Sequence, residues 1–180
     1  MTIKDVIENQ KSIADELLAL CETLDPTCIL AGGAPRDWFF EKEAKDLDIF
    51  MYFRPDLSKS KVLRILKKHI CDKIEPLDWS DEEGLNYERN PNIYSVYEFV
   101  FKGMKVQLVL LKKPSWDIVD TFAFNICKAW YKNKRCHYTK DFTKDYTSKT
   151  ITKTGKLYAC TEAYTQRIKS KFSDYHYVEE

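Results

Sequence analysis

Two neighbouring stretches decide the fold: residues 31–37 read Ala-Gly-Gly-Ala-Pro-Arg-Asp, and residues 45–50 read Lys-Asp-Leu-Asp-Ile-Phe. The apolar run at residues 27–31, which leads into the two glycines, is typical of a buried strand. Residues 34–42 are expected to form a short helix, because proline is favoured in the first helical turn. Residues 45–53 then predict a second strand. The order is therefore strand, glycine turn, helix, strand.

The second predicted strand carries two carboxylates on one face. Side chains alternate along a strand, so Asp46 and Asp48 project together, about 6.6 Å apart, while Leu47 and Ile49 face the core. Two adjacent carboxylates repel each other and favour a cation between them. Mg²⁺ prefers carboxylate oxygens together with substrate phosphates. We therefore expect Asp46 and Asp48 to be catalytic and to hold Mg²⁺ or Mn²⁺ against the phosphates of a nucleoside triphosphate.

The glycines and the residues after them are expected to bind those phosphates. Gly32 and Gly33 let the backbone approach a ligand closely, and the following helix N-terminus favours anions. Arg36 could grip a phosphate through two hydrogen bonds, and Asp37 is placed to orient Arg36 or to cap the turn. Lys45 could assist electrostatically. Each feature alone is more often a turn or a surface ion pair, so their joint occurrence is what indicates a site.

Together these residues resemble the signature of the DNA polymerase beta-like nucleotidyltransferase superfamily. The likeness, which covers residues 27–53, is strongest to the head domain of poly(A) polymerases and CCA-adding enzymes, with Gly-Gly-x-x-Arg-Asp followed by Asp-x-Asp. It implies a nucleotidyltransferase fold, two metal ions held by Asp46 and Asp48, and a triphosphate cradle that includes Arg36.

A second, shorter segment is also similar to that branch. Residues 120–125, Asp-Thr-Phe-Ala-Phe-Asn, resemble its Arg-Asp-Phe-Thr-Ile-Asn segment, although Val119 replaces the arginine. The resemblance implies that Asp120 is catalytic and that Asn125 binds substrate. An ordinary strand with its two phenylalanines in the core explains the segment equally well.

The sequence departs from the family at the third carboxylate, which often lies on a later strand. Residues 105–111 contain no acid, and Gln107 stands where one is expected. An amide cannot accept the hydroxyl proton or bind magnesium as a carboxylate does. Three outcomes stay open: Asp120 or Asp117 takes the role, the enzyme works slowly with two acids, or the protein binds nucleotide without transfer.

The rest of the chain predicts one α+β domain, with a mixed sheet flanked by helices and a small C-terminal extension. The core is expected over residues 1–131 and the accessory segment over 132–180. The other predicted elements are helices at 2–21, 58–72 and 161–172, strands at 94–101 and 105–111, and a long loop at 76–92. Residues 121–131 fit either a strand or a helix, and 132–134 a hairpin turn into 135–138.

Composition excludes several classes of protein. The 29 Lys+Arg and 28 Asp+Glu nearly cancel, so charge alone does not indicate a nucleic-acid partner. The basic runs at 59–68 and 128–144 are more simply solvated faces, and the aromatic residues within the second run suit a half-buried sheet or a single-strand nucleic-acid site. Six scattered cysteines without a C-x-x-C pair indicate reduced thiols rather than disulfides or zinc.

The chain shows no secretory signal and no apolar run long enough for a membrane span, so we expect a cytoplasmic protein, in the host cytoplasm if phage-encoded. Only about 125 residues follow the metal strand. These are too few for the neck and body domains of the larger polymerases, so we expect a minimal, phage-type transferase.

The expected reaction moves a nucleoside monophosphate from ATP or CTP to a hydroxyl, with a tRNA-like RNA end as the favoured acceptor and a protein or metabolite as alternatives. The alternative function is a weak or inactive module that binds nucleotide, RNA or protein. Arg167 and Lys169 on the last predicted helix could face the cleft.

Overall fold

The computed structural model describes residues 1–77, 90–114, 117–154 and 160–180. The helices are α1 (Ile3–Glu22), α2 (Gly33–Phe39), α3 (Lys59–His69), α4 (Lys140–Ser148) and α5 (Glu162–Lys171). The strands are β1 (Ile29–Ala31), β2 (Asp46–Tyr52), β3 (Glu75–Pro76), β4 (Ile93–Phe101), β5 (Met104–Leu111), β6 (Ala129–Lys132), β7 (Arg135–Tyr138), β8 (Thr150–Lys153) and β9 (His176–Glu179). Short 3₁₀ turns cover Ile118–Thr121 and Asn125–Cys127.

In the described ranges, seven strands form one mixed sheet in the order β3-β4-β5-β2-β1-β6-β7. β2 and β5 run parallel, and the other neighbouring pairs run antiparallel. β2, the strand that carries the two acids, therefore lies at the centre of the sheet. Strands β8 and β9 form a separate parallel pair. The α+β class with a mixed, helix-flanked sheet is confirmed.

One face of the sheet packs against α1 and α3. Leu47 and Ile49 of β2 are fully buried and join a core cluster with Leu17 of α1 and Leu66 of α3. The alternation of β2 sends these apolar side chains to the helical layer and sends Asp46 and Asp48 to the other face. The predicted division of this strand into a core face and a polar face is confirmed.

A buried glutamine ties α1 to the segment that enters β2. The amide oxygen of Gln10 accepts hydrogen bonds from the Trp38 indole N–H (2.9 Å) and from the backbone N–H of Ala44 (2.8 Å). Its amide nitrogen donates to the Ala44 carbonyl at 2.9 Å. This side chain therefore satisfies three polar groups at once and fixes α2 and β2 relative to α1.

Two tight turns close the hairpins of the sheet. Lys102 and Gly103 join β4 to β5, and Asn133 and Lys134 join β6 to β7, all four with positive φ. Two consecutive residues of positive φ give a turn whose twist matches that of the flanking strands. The hairpin turn predicted at 132–134 is therefore confirmed.

The C-terminal third is more structured than the sequence predicts. β7 pairs with β6, so the main sheet runs on to Tyr138, past residue 131. Residues 121–131, which fitted a strand or a helix, form a 3₁₀ turn at Asn125–Cys127 and only then a strand from Ala129. The basic, aromatic stretch at 128–138 belongs to the sheet: Tyr131 is buried, and Lys128 is buried against Asp141 at 2.8 Å.

The predicted loop at 76–92 lies mostly outside the described residues, since 78–89 are not among them. All six cysteines are free thiols in the structure. In the described part of the chain, each helix is too short or too polar to cross a membrane.

Candidate active site

A cleft of about 270 Å³ opens on the sheet face that carries the two acids. Seven of the nine residues predicted to form a site line it: Gly32, Gly33, Arg36, Asp37, Lys45, Asp46 and Asp48. They come from the end of β1, from α2 and from the start of β2. The structure therefore brings both halves of the motif to one place.

Asp46 and Asp48 lie side by side on the floor of the cleft. Both are half-buried, and Oδ1 of Asp48 is enclosed by protein. On the neighbouring parallel strand Gln107 stands in register with Asp48 and also lines the cleft. Gln107 thus occupies the place beside Asp48 where a third acid was expected.

The donor set suits a hard cation with substrate oxygens. No group of three or more His, Cys, Asp or Glu side chains in the described ranges could hold a metal ion. Two carboxylates on alternate positions of one strand match the preference of Mg²⁺, which binds through one or two carboxylates plus phosphate oxygens and water. Asp46 and Asp48 are therefore the kind of ligands that suit Mg²⁺.

Gly32 forms the backbone corner of the cleft. Its φ of +87° and ψ of −115° are a conformation that residues with a Cβ rarely adopt. Its N–H donates to the carbonyl of Ala129 on β6 at 2.9 Å, which fixes the corner to the sheet. Gly33, by contrast, has no positive φ, and a Cβ there would lie 3.7 Å from Nη2 of Arg36.

Arg36 is buried beneath the glycines, with 6% of its surface exposed. Its Nε donates to Oδ1 of Asp37 at 2.8 Å, and its Nη1 contacts Sγ of Cys127 at 3.1 Å. Asp37 therefore orients Arg36. These two contacts hold the guanidinium in place, and Nη2 remains the nitrogen closest to Gly33.

Helix α5 forms a second wall of the cleft. Nζ of Lys171 donates to Oδ2 of Asp37 at 2.6 Å, and the Phe172 ring lies 5.9 Å from the Arg36 guanidinium carbon. Burial lowers the pKa of Lys171, and the nearby Arg36 lowers it further, although Asp37 opposes both. Tyr164 and Arg167 also line this wall. The C-terminal segment thus completes a site that begins at residue 31.

Most of this second wall was missed by sequence reasoning. The spacing of Tyr164, Arg167 and Lys171 by three and four residues places them on one helix face. The sequence shows this spacing, but nothing in the sequence indicated which part of the protein that helix face packs against. Arg167 lines the cleft, whereas Nζ of Lys169 lies 3.7 Å from the centre of the Tyr177 ring.

The structure does not bring Asp120 or Asn125 into the cleft. Asp120 lies in the 3₁₀ turn Ile118–Thr121 and lines a neighbouring cavity of about 440 Å³. The ring of Phe122 lines the first cleft and packs 5.5 Å from that of Phe50. Asn125 is buried and lies beside Asp145.

The fold is shared with nucleotide-adding enzymes of known structure. A Thermotoga maritima CCA-adding enzyme complexed with tRNA matches 99% of this chain at 13% identity, with a TM-score of 0.59. A CCA-adding enzyme in complex with ATP matches 96% at 13% identity and a TM-score of 0.56. A tRNA nucleotidyltransferase with a primer tRNA and an ATP analogue matches 84% at 10% identity and 0.51.

At these identities the likeness establishes a nucleotidyltransferase-like fold. The chain spans only 43%, 42% and 43% of the length of these three structures. No curated protein matches the sequence.

The sequence does match one family along most of its length. The profile of the Gabija anti-defense 2 family aligns with residues 3–149, a range that contains α1 to α4 and every residue predicted for the site. The chain therefore belongs to the Gabija anti-defense 2 family.

Proposed function

We propose that this protein is a metal-dependent nucleotidyltransferase that moves a nucleoside monophosphate from a nucleoside triphosphate to a hydroxyl and releases pyrophosphate. The observation that carries the proposal is the cleft in which Asp46 and Asp48, on one face of β2, meet the backbone of Gly32 and Gly33. Acids, glycine backbone and cations in one concave site are what binding of a metal–triphosphate requires.

Asp46 and Asp48 would hold Mg²⁺ or Mn²⁺. When bound, the metal supplies charge neutralisation at the phosphate and at the attacking and leaving oxygens of an in-line displacement. The protein's own part is to place the triphosphate. The Gly32–Gly33 backbone, Nη2 of Arg36 and the exposed Lys45 line the cleft around the acids, and each favours an anion there.

The acceptor we propose is the end of an RNA, and ATP or CTP is the proposed donor. Support comes from the structural neighbours, which are complexes with tRNA, with ATP or with an ATP analogue. Membership of an anti-defense family supports a small phage-type enzyme that acts in the host cytoplasm.

One observation favours a second function, a module that binds nucleotide without transferring it. Gln107 stands in register with Asp48 at the place proposed for the third acid, and neither Asp117 nor Asp120 lines the cleft. An amide cannot take the proton of an attacking hydroxyl. A protein of this kind would bind a magnesium–triphosphate and release no pyrophosphate.

The two functions are separated by a transfer assay. The protein is incubated with each α-labelled triphosphate, Mg²⁺ or Mn²⁺ and total cellular RNA, and the products are run on a gel that also resolves labelled protein. We expect label in RNA. Asp46→Asn and Asp48→Asn should each lower the rate about 100-fold or more, since each removes several kcal/mol of transition-state stabilisation.

The exposed Asp72→Asn serves as the matched control and should keep the rate. An unaltered rate in either cleft variant would refute the assignment of the acids. Triphosphate binding without any labelled product would favour the binding module.

A further inference from the structure

The cations of the cleft differ in how they are paired. The lining includes four of them among the described residues: Arg36, Lys45, Arg167 and Lys171. Arg36 and Lys171 share one carboxylate, Asp37, at 2.8 Å and 2.6 Å. Arg167 is exposed, and no carboxylate in the described part of the chain lies within ion-pair distance of it. Its charge is therefore available to a ligand.

Arg167 is also held in a defined position. Its guanidinium carbon lies 4.9 Å from the centre of the Tyr164 ring, and the Tyr164 hydroxyl lies 3.9 Å from Sγ of Cys127. A guanidinium stacked on a ring keeps its N–H edge free for hydrogen bonds. A side chain that is restrained in this way loses little conformational freedom when it binds a ligand. The planar guanidinium can also donate hydrogen bonds to two phosphate oxygens at once.

We infer that Arg167 binds the phosphates of the nucleoside triphosphate, so that α5 supplies a second, cationic wall of the nucleotide site. This inference rests on the proposed function, because it takes the triphosphate to lie over Asp46 and Asp48. Helix α5 lies beyond residue 149, where the family match ends. The wall is therefore assigned from the geometry of this chain alone.

A nucleotide is a better occupant than the backbone of an RNA strand. Arg167 lines the same concave cleft as the two acids, which is where a single triphosphate would fit. An RNA strand needs a tract of cations over several nucleotides, whereas Lys171 on the same helix face is already bonded to Asp37. The affinity for RNA then serves as one arm of the test.

The test is calorimetric binding by the full chain in Mg²⁺, with ATP, inorganic tripolyphosphate, adenosine and a short single-stranded RNA as separate probes. Arg167→Ala should bind ATP and tripolyphosphate about 10- to 100-fold more weakly, as expected for the loss of charge-assisted hydrogen bonds. Arg167→Lys should recover part of that loss because it keeps the charge. Adenosine binding should not change.

Lys169→Ala is the matched control, since Lys169 is on the same helix but faces Tyr177. It should bind all four probes as the wild type does, and thermal unfolding should show that every variant is folded. Unchanged ATP and tripolyphosphate affinity in Arg167→Ala would overturn the inference. So would an equal loss in Lys169→Ala, or a loss confined to RNA binding.

Binding and transfer measurements on the wild-type protein distinguish a failure of this inference from a failure of the proposed function. If it binds ATP but transfers no nucleotide, the transfer fails while the role of Arg167 is still decided by the binding data. If it transfers nucleotide and Arg167→Ala binds normally, only the role of Arg167 fails. If it binds neither ATP nor tripolyphosphate, both fail.

Discussion

Gly32 and Gly33 are adjacent in the sequence, yet only one of them needs to be glycine for the fold. Gly32 has a φ of +87° and turns the chain from β1 into α2. Gly33 has no positive φ, and a Cβ there would be in ordinary contact with Arg36. At the scale of single residues, the motif therefore combines a backbone requirement at Gly32 with a position at Gly33 that lines the cleft.

This difference predicts opposite effects of the same substitution. Gly32→Ala should lower the free energy of unfolding by about 1–3 kcal/mol, because alanine is strained at that φ and ψ. Gly33→Ala should leave it unchanged or raise it by about 0.4–1 kcal/mol, because the unfolded chain loses freedom. Urea unfolding of both variants measures these values. Equal losses of unfolding free energy in the two variants would show that the positive φ of Gly32 does not require glycine.

At the scale of elements, the site depends on how α1 holds α2 and β2. Gln10 lies inside α1 and satisfies the indole N–H of Trp38 and both backbone groups of Ala44. Helix α2 follows the glycine turn and β2 carries the acids, so this one side chain aligns both parts of the motif.

Replacing Gln10 tests whether its side chain links α1 to α2 and β2. Gln10→Leu should lower the free energy of unfolding by about 3 kcal/mol or more, since three buried polar groups would lose their partners at roughly 1–3 kcal/mol each. Gln166→Leu changes an exposed glutamine on α5 and should stay within about 0.5 kcal/mol. Denaturant unfolding of both variants measures the difference. A Gln10→Leu variant as stable as the control would contradict a linking role.

The elements that the sequence predicts well are those whose pattern is local. The alternation of polar and apolar residues in β2 and the helical periodicity of α1 are set by which face of each element is buried. The predicted spans of these two elements are therefore close to the observed ones. The part of the chain that follows β5 is predicted less well. Asp120 and Asn125 matched a family segment, but two 3₁₀ turns direct them away from the cleft.

The second wall of the site shows why such contacts escape sequence reasoning. Lys171 reaches Asp37 across 134 positions of the chain, and Cys127 reaches Arg36 across 91. Side chains so far apart meet only in the folded chain, where the sheet order places β6 beside β1 and the end of α5 contacts α2 through Lys171 and Asp37. The two acids and the glycines, by contrast, lie within one β-α-β stretch and were predictable together.

At the scale of the whole molecule, the cleft brings together segments that are far apart in the sequence. Its floor comes from β1, α2 and β2, and one wall comes from α5. This chain spans 43%, 42% and 43% of the length of the three structural neighbours. Here the C-terminal helix of a 180-residue chain closes the site.

A ligand that bridges floor and wall should stabilise the entire fold. At 100 times its dissociation constant, magnesium–ATP or magnesium–CTP should add about 2.7 kcal/mol. For a chain of this size that raises Tm by about 5–10 °C. Thermal unfolding with nucleotide, with and without EDTA, measures the shift. An equal shift in EDTA would mean that nucleotide binding does not depend on a metal.

The most direct measurement of the central claim is a crystal structure of the protein soaked with Mn²⁺ and a non-hydrolysable ATP or CTP analogue, with anomalous diffraction recorded for manganese. We expect an anomalous peak bound by the carboxylates of Asp46 and Asp48, with the analogue's phosphates against Gly32 and Gly33. Phosphates bound elsewhere, or a cleft that takes up the analogue with no manganese at the two acids, would contradict it.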